Sequence, residues 1–280
     1  FAWYENDGSE GFTQHQISTA NGGRWITAAD MNEDNVLDIL VTDGAGNDQI
    51  RWYSGSDGYS TVTGIFDEWA AEVVMMKAVL MNGDSKMDVV YAAARADEIG
   101  WCEQGTKMIL TGSGPTVVQD YTKNVIGTCN GATSVDVADM DGDGDLDVLC
   151  TCADSDEVAW FQNDGSQVFT RISISTSETE VTSGVLVDVD GDSDMDIVST
   201  TYAFGSTTDE VVWWSNDGNN PPAFTRYVIN NAVKDAQSVF AVDLDGDGHM
   251  DVLSAQYSEI VFYDNAPAPS SQPSSQPSTQ

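Results

Sequence analysis

A short acidic segment recurs five times along the chain, and it constrains the fold more than any other feature. Its most regular copy reads Asp-Met-Asp-Gly-Asp-Gly-Asp-Leu-Asp over residues 139–147. Oxygen-bearing side chains stand at positions 1, 3, 5 and 9 of this segment, and Ca²⁺ takes about six to eight oxygen ligands in a flexible shell. We therefore expect each copy to form a calcium-binding loop. The predicted ligands are Asp30, Asn32, Asp34 and Asp38 in the first loop; Asn82, Asp84 and Asp88 in the second; Asp139, Asp141, Asp143 and Asp147 in the third; Asp188, Asp190, Asp192 and Asp196 in the fourth; and Asp243, Asp245, Asp247 and Asp251 in the fifth.

The spacing of the loops predicts the architecture. They begin at residues 30, 80, 139, 188 and 243, so successive copies lie 50, 59, 49 and 55 residues apart, a period typical of propeller blades or solenoid coils. A small apolar segment (strand A) leads into each loop, and a β-branched segment (B) follows it. A tryptophan-aromatic segment (C) and a more polar outer segment (D) complete the repeat. Alternating apolar residues between turn residues indicate strands. The sequence therefore predicts an all-β protein, a β-propeller of four-stranded antiparallel blades over residues 1–265.

The two ends of this pattern do not match. The chain begins with a C strand at 1–6 and a D strand at 12–18, and it ends on a C strand at 260–263. We therefore expect residues 1–18 to be half of a further blade and the sequence to be a fragment or processed product of a six- or seven-bladed parent. The alternatives are a five-bladed ring with a spare strand, or an open ring completed by a neighbouring chain. Unpaired strand edges favour pairing between chains, which would give oligomers or filaments.

The motif also resembles a known family. Asp-x-Asp-Gly-Asp-Gly-x-x-Asp, followed by Trp-aromatic-x-Asn-Asp-Gly as at 160–165, is similar to the FG-GAP/VCBS repeats of integrin α-subunit-type propellers and related secreted lectins. The resemblance covers residues 1–265 and implies that Ca²⁺ binds the side chains at positions 1, 3, 5 and 9 and the carbonyl at position 7. Leu80 departs from this pattern at position 1 of the second loop. The Phe-Gly and Gly-Ala-Pro signatures are absent in register, which places the likeness on the VCBS side of the group. An EF-hand does not fit, because the flanking segments are strands and the glutamate at position 12 is missing.

The charge balance restricts the partners. The chain has 10 Lys+Arg against 46 Asp+Glu, a formal net charge of -36. Such a chain repels phosphate backbones, so we do not expect nucleic acid as a partner.

Four cysteines indicate an oxidising compartment. Cys150 and Cys152 stand two residues apart on one strand, too far apart along an extended chain to bond each other. Antiparallel pairing of strands A and B puts Cys152 near Cys129. We therefore predict a Cys129–Cys152 disulfide and a second one between Cys102 and Cys150, with four reduced core thiols as the alternative. Disulfides indicate an extracellular or cell-surface protein.

The last residues differ in composition from the rest. Segment 266–280 repeats Ser-Gln-Pro-Ser and has no core-forming residue, so it predicts a disordered Ser/Gln/Pro-rich stalk or linker open to O-glycosylation, or an ordinary disordered terminus. We find no membrane-spanning segment and expect no direct membrane insertion. A chain that begins at Phe1 is expected to have lost a signal peptide.

Few residues suggest catalysis. His15 and His249 are the two histidines, and no Gly-x-Ser-x-Gly motif occurs, so we expect a protein that is not an enzyme. Trp25 and Trp69 fall outside the register of the other tryptophans and are candidates for stacking on sugars. The leading hypothesis is a secreted, calcium-stabilised binding or adhesion module for a glycan or a protein. The alternatives are a structural subunit of a surface filament or matrix that self-assembles through unpaired strands, and a calcium-dependent polysaccharide-degrading enzyme.

Overall fold

The computed structural model describes residues 1–17, 23–43, 49–60, 62–66, 72–111, 114–202 and 209–265. The stalk predicted at 266–280 lies outside these ranges. The described residues form antiparallel β-strands and two short 3₁₀ helices at Gly55–Asp57 and Ala153–Ser155. None of the helices in this part of the chain has the length and apolar character needed to cross a bilayer.

The strands form five blades and an N-terminal hairpin, as the sequence predicts. The hairpin comprises β1 (Ala2–Asn6) and β2 (Phe12–Gln16). Blade 1 comprises β3 (Ile26–Ala29), β4 (Asp38–Asp43), β5 (Gln49–Tyr53) and β6 (Val62–Phe66). Blade 2 comprises β7 (Val73–Val79), β8 (Asp88–Ala93), β9 (Glu98–Thr111) and β10 (Gly114–Thr128). Blade 3 comprises β11 (Ala132–Ala138), β12 (Asp147–Cys152), β13 (Glu157–Asn163) and β14 (Phe169–Ser175). Blade 4 comprises β15 (Val181–Val187), β16 (Asp196–Thr201), β17 (Asp209–Asn216) and β18 (Phe224–Val233). Blade 5 comprises β19 (Ser238–Val242), β20 (Asp251–Ala255) and β21 (Ile260–Tyr263).

Within each blade the strands pair in chain order, and the first strand lies innermost, where it contacts the first strand of the next blade. The architecture is therefore the predicted β-propeller. Blades 1 to 4 have four strands, and blade 5 has three among the described residues.

The hydrophobic core lies between blades. A separate cluster of buried side chains fills each junction from blade 1 to blade 5, with Trp52, Trp101, Trp160 and Trp214 among them. Because successive side chains of a strand point to opposite faces, blades 1 to 4 each contribute to the junctions on both of their sides, while blade 5 contributes to its junction with blade 4. A fifth cluster joins the N-terminal hairpin to blade 1, where Phe1 and Trp3 pack on Tyr53. The hairpin thus occupies the position of a half blade.

Polar contacts add a second connection between the inner strands of blades 3, 4 and 5. Thr133 Oγ1 donates to the carbonyl of Val181 (2.8 Å), and Thr182 Oγ1 donates to that of Ala236 (2.7 Å). The amide of Gly184 also donates to Ser134 Oγ (2.9 Å). We call Thr133, Ser134, Thr182 and Ser183 the hydroxyl seam. Blade 2 has Val74 and Met75 at the same register positions, so the seam ends at blade 3.

One of the two predicted disulfides is present. Cys129 and Cys152 are bonded, with Cα atoms 5.1 Å apart, whereas Cys102 and Cys150 are free buried thiols. The predicted Cys102–Cys150 bond was wrong because the two side chains belong to different junctions. Cys102 faces blade 1, while its neighbour Trp101 faces blade 3, where Cys150 lies.

Candidate metal centre

The five acidic loops share one backbone conformation. Positions 4 and 6 have positive φ in every copy, for example 73° at Gly142 and 95° at Gly144 in the third loop. Glycine adopts this region without a steric cost, which explains why it fills both positions in the third and fifth loops. In the first loop Glu33 and Asn35 adopt it, with φ values of 62° and 64°. The turns at these positions bring the oxygens of the loop side chains to its inside.

The position 1 carboxylate organises the loop backbone. In the third loop Asp139 Oδ1 accepts hydrogen bonds from the amides of Gly142 (2.8 Å) and Asp143 (3.1 Å), and its Oδ2 accepts one from Gly144 (2.9 Å). Equivalent bonds are made by Asp30, Asp188 and Asp243. In the second loop Leu80 stands at this position and is 46% exposed. The second loop therefore lacks a carboxylate that the other four use.

Three loops bring carboxylates together as a metal centre requires. In each, one oxygen from the residues at positions 1, 3 and 9 lies within 4.8 Å of the others. We call these sets the carboxylate trios. They are Asp139, Asp141 and Asp147 in the third loop, Asp188, Asp190 and Asp196 in the fourth, and Asp243, Asp245 and Asp251 in the fifth. Clustered hard oxygens fit a hard divalent cation such as Ca²⁺.

The remaining predicted ligands lie outside the trios. The position 5 carboxylates of Asp143, Asp192 and Asp247 each accept the amide two residues further on, at 2.9, 3.0 and 2.9 Å. Asn32 and Asn82 occupy position 3 of the first and second loops, and no trio of acidic groups forms there among the described residues. The acids of these two loops are therefore predicted ligands that the structure does not group; they are Asp30, Asp34, Asp38, Asp84 and Asp88.

The position 9 aspartate has a second role that the sequence analysis missed. Asp147 Oδ2 accepts the amide of Met140 at position 2 (3.0 Å), and Oδ1 accepts the amide of Asn163 at the end of the third strand of the blade (2.8 Å). The same pair of bonds recurs in the other four loops. We call these residues the staple aspartates; they are Asp38, Asp88, Asp147, Asp196 and Asp251, each at most 1% exposed. A sequence signal existed, since an acid opens every second strand of a blade, where core side chains begin.

Burial raises the pKa of four staple aspartates. It raises the pKa of Asp88 and Asp147 to about 6, and it raises the pKa of Asp38 and Asp196. Hydrogen bonds from the backbone oppose this effect, while other carboxylates of the loops reinforce it. Burial and the Asp192 carboxylate also raise the pKa of Asp190. A bound cation would favour the ionised form of these groups, since opposite charge offsets the cost of removing them from water.

Position 2 anchors each loop in the junction to the next blade. Met31, Met81, Met140 and Val189 are buried there, whereas Leu244 of blade 5 is 55% exposed. The side-chain amide of Asn216 in blade 4 also donates to the carbonyl of Met140 (3.3 Å). Asn265 after blade 5 donates in the same way to Val189 (2.8 Å). The loops and the inter-blade core are thus one connected structure.

The Asn-Asp-Gly turns close over the same loops. A Cβ atom on Gly165 would collide with the Asp145 carboxylate, and one on Gly218 would collide with that of Asp194. Both glycines also have positive φ. Glycine is therefore favoured at these positions by its conformation, and it lies close to the position 7 carboxylate of the loop.

The two candidate sugar-stacking residues differ in what the structure shows. Trp25 is half-buried against the cores on both sides of blade 2, and its buried Nε1 has no hydrogen-bond partner among the described residues. Trp69 lies outside the described residues.

The two histidines lie in different parts of the fold. His15 stacks on Trp3, with ring centroids 4.4 Å apart, and His249 occupies position 7 of the fifth loop.

A family described as FG-GAP-like repeat matches the chain three times, over residues 81–150, 141–199 and 188–254. Together the matches run through the second to the fifth loop and cover more than half of the chain. A search of curated proteins found no match.

Proposed function

Because the chain belongs to the FG-GAP-like repeat family, we propose that it is a calcium-stabilised β-propeller that acts outside the cell as a binding or adhesion module for a glycan or a protein. The observation that carries the proposal is the carboxylate trio, repeated with the same residues in three successive blades. The repeat is hard to explain by solubility alone, because each trio places like charges together around a buried staple aspartate. A divalent cation removes that repulsion.

The residues assigned to the cation are those at positions 1, 3, 5 and 9 of each loop, with the trio residues at their centre. Bound Ca²⁺ supplies charge neutralisation and cross-linking of the loop. The chain's own contribution is to orient the ligands, because backbone amides hold the position 1 and position 9 carboxylates in place. The Cys129–Cys152 disulfide supports an extracellular location, since disulfides persist in oxidising compartments.

Calcium titration of the full chain by isothermal calorimetry tests the metal assignment. We expect sites with dissociation constants on the order of 10⁻⁴–10⁻³ M, as in extracellular modules. Replacing Asp141, Asp190 and Asp245 together by alanine should remove most of the calcium heat. A variant with the same number of changes at exposed acids away from the loops and their covering turns, Glu5, Glu10 and Glu259, is the matched control. Unchanged binding in the first variant would contradict the assignment.

A glycan array and capture of extracellular proteins test the binding role. Retention of one glycan or protein class, in calcium and not after chelation, is the expected result. No retention in either assay would contradict it. Nucleic acid is not proposed as a partner, because the net charge is -36.

The surface of blade 5 favours a second candidate, a subunit of a filament or matrix. This blade has three strands among the described residues, and Phe240, Ile260 and Phe262 are exposed on it, whereas blades 2, 3 and 4 bury residues on both faces. Exposed apolar surface next to an unpaired edge favours association. Regular polymers in negative-stain micrographs, lost in Phe262→Glu, would favour this candidate over a monomeric binding module.

We also propose that the chain is not an enzyme. His15 is engaged with Trp3 and hydrogen-bonds Glu5 (3.0 Å), and His249 lies in a loop assigned to calcium. Incubation with acidic and neutral polysaccharides should release no unsaturated or reducing sugars, and release of either would contradict the proposal.

A further inference from the structure

A cavity of about 480 Å³ lies among the inner strands, on the axis of the blades. It is separate from the carboxylate trios. Strands β7, β11, β15 and β19 line it, and Trp25 from the segment before β3 completes the wall. Binding sites for small molecules are concave and commonly about 300–1,000 Å³ in volume. The cavity therefore has the size of a ligand site.

The two sides of the cavity differ in chemistry. Blades 1 and 2 contribute Trp25, Val74 and Met75, which form an apolar side. Blades 3 and 4 contribute the hydroxyl seam, beside apolar residues of blades 4 and 5 such as Leu186 and Val239.

Thr133 and Thr182 donate their hydroxyl protons to the carbonyls of the next blade. Their oxygens lie 2.7 and 2.9 Å from the hydroxyls of Thr151 and Thr200. Each oxygen therefore retains one lone pair for a ligand donor. A ligand with one apolar face and hydroxyl donors along its edge matches both sides.

The charge of the cavity selects against ionic ligands. Lys77 forms an ion pair with Asp136, whose carboxylate is almost fully buried and accepts a further hydrogen bond from the amide of Leu186 (3.0 Å). The two charges cancel, so the cavity offers neither a free cation nor a free anion. The surrounding protein, with a net charge of -36, also repels anions. These features favour a neutral ligand.

Trp25 supplies the aromatic element of the cavity. Its indole is half-buried and lines the apolar side, while its Nε1 is turned away from solvent into the protein. A sugar ring combines an apolar face for the indole with hydroxyl groups that donate to the hydroxyl seam.

We propose that the central cavity binds a neutral pyranose sugar, one or two residues long, stacked on Trp25 and hydrogen-bonded to the hydroxyl seam. This inference rests on the proposed binding function, for which it names the site and the ligand class.

The test uses the full chain in calcium. Titration calorimetry with glucose, galactose, mannose and their disaccharides measures affinity, and glucuronate serves as the anionic comparison. We expect at least one neutral sugar to bind, glucuronate not to bind, and Trp25→Ala to weaken binding tenfold or more. The matched control is Tyr257→Ala, which removes an exposed aromatic ring away from the cavity and should leave affinity unchanged. Melting curves show whether each variant is folded.

A second measurement keeps the proposal testable if Trp25→Ala does not fold. With 5-fluorotryptophan incorporated, Trp25→Phe assigns the Trp25 resonance by its disappearance, and that resonance should shift when the sugar is added. A sugar that binds without moving this resonance, or that binds Trp25→Ala as well as the original chain, overturns the cavity site while the binding function stands. Binding of glucuronate in place of neutral sugars, or of no sugar at all, also overturns it; capture of a protein partner would then preserve the broader proposal.

Discussion

The third and second loops have the same backbone but different side chains, and the difference separates two tasks within one motif. Asp139 gathers three backbone amides in the third loop, whereas Leu80 is exposed at that position in the second. Both loops nevertheless have positive φ at positions 4 and 6. Both also bury a methionine at position 2 and a staple aspartate at position 9. The two loops therefore share positions 2, 4, 6 and 9, which hold the fold, and the position 1 carboxylate that the second loop lacks is not required for this backbone.

Position 3 shows the same division. In the third loop Gln162 of the adjacent strand donates to Asp141 (2.5 Å), while in the second loop Asn82 donates to Glu103 (3.2 Å). The acid and the amide have exchanged places between loop and strand. The second loop thus keeps the hydrogen bond while its acid comes from the strand.

The largest effect is expected at the staple aspartates. We expect Asp147→Ala and Asp88→Ala to lower the free energy of unfolding by about 4 kcal/mol each. Each substitution leaves two buried amides without an acceptor, and each such amide costs about 1–3 kcal/mol. Urea unfolding in EDTA measures this without a contribution from calcium. Asp84→Ala, at an exposed position of the same loop, is the control and should change little. A loss that appears in calcium but not in EDTA would show that position 9 acts mainly through the metal.

A second test concerns position 2. Met140→Ala should destabilise the protein by about 3 kcal/mol, because it leaves a cavity between blades 3 and 4. Leu244→Ala removes an exposed side chain at the same loop position in blade 5 and should change the unfolding free energy by less than about 0.5 kcal/mol. Thermal and urea unfolding of both variants give the comparison. Equal losses would mean that Leu244 is covered in solution.

The third prediction concerns how much bound calcium stabilises the third loop compared with the second loop. A filled site contributes about 2.7 kcal/mol when calcium is a hundredfold above its dissociation constant. Asp143→Ala should lose much of that amount in calcium and little in EDTA, whereas Asp84→Ala should lose less in calcium because its loop lacks a position 1 carboxylate. The readout is the melting temperature with and without calcium. Equal effects would contradict the assignment of ligands by position.

The smallest expected effect is a gain. Leu80→Asp restores position 1 of the second loop and should add about 1 kcal/mol of calcium-dependent stability, together with one more site in a calcium titration. Leu80→Ala controls for removal of the exposed leucine. A gain that persists in EDTA would show that the carboxylate only orders the backbone of the loop.

Much of the fold was predictable because its signals are local and repeated. The loops, the strands between them and the Cys129–Cys152 bond follow from residues close in sequence or paired across one hairpin. The Cys102–Cys150 prediction failed because it required knowing which junction each face of a strand enters, a property of the whole ring. The hydrogen bonds of Asp147 to backbone amides were not predicted, because the ligand pattern already explained an aspartate at this position. One carboxylate serves as a predicted ligand and as an acceptor for two amides. The cavity could not be foreseen, because its lining residues come from segments that are far apart in the sequence.

The amides of Asn216 and Asn265 each reach back to the loop of the preceding blade, and the hydroxyl seam joins the same blades. Blades 3, 4 and 5 are thus coupled in one direction, each through its neighbour, as in a one-dimensional cooperative array. Under heat or mechanical load we expect this sector to open as a unit. Ion binding in one loop of this sector should then change the stability of the neighbouring blade.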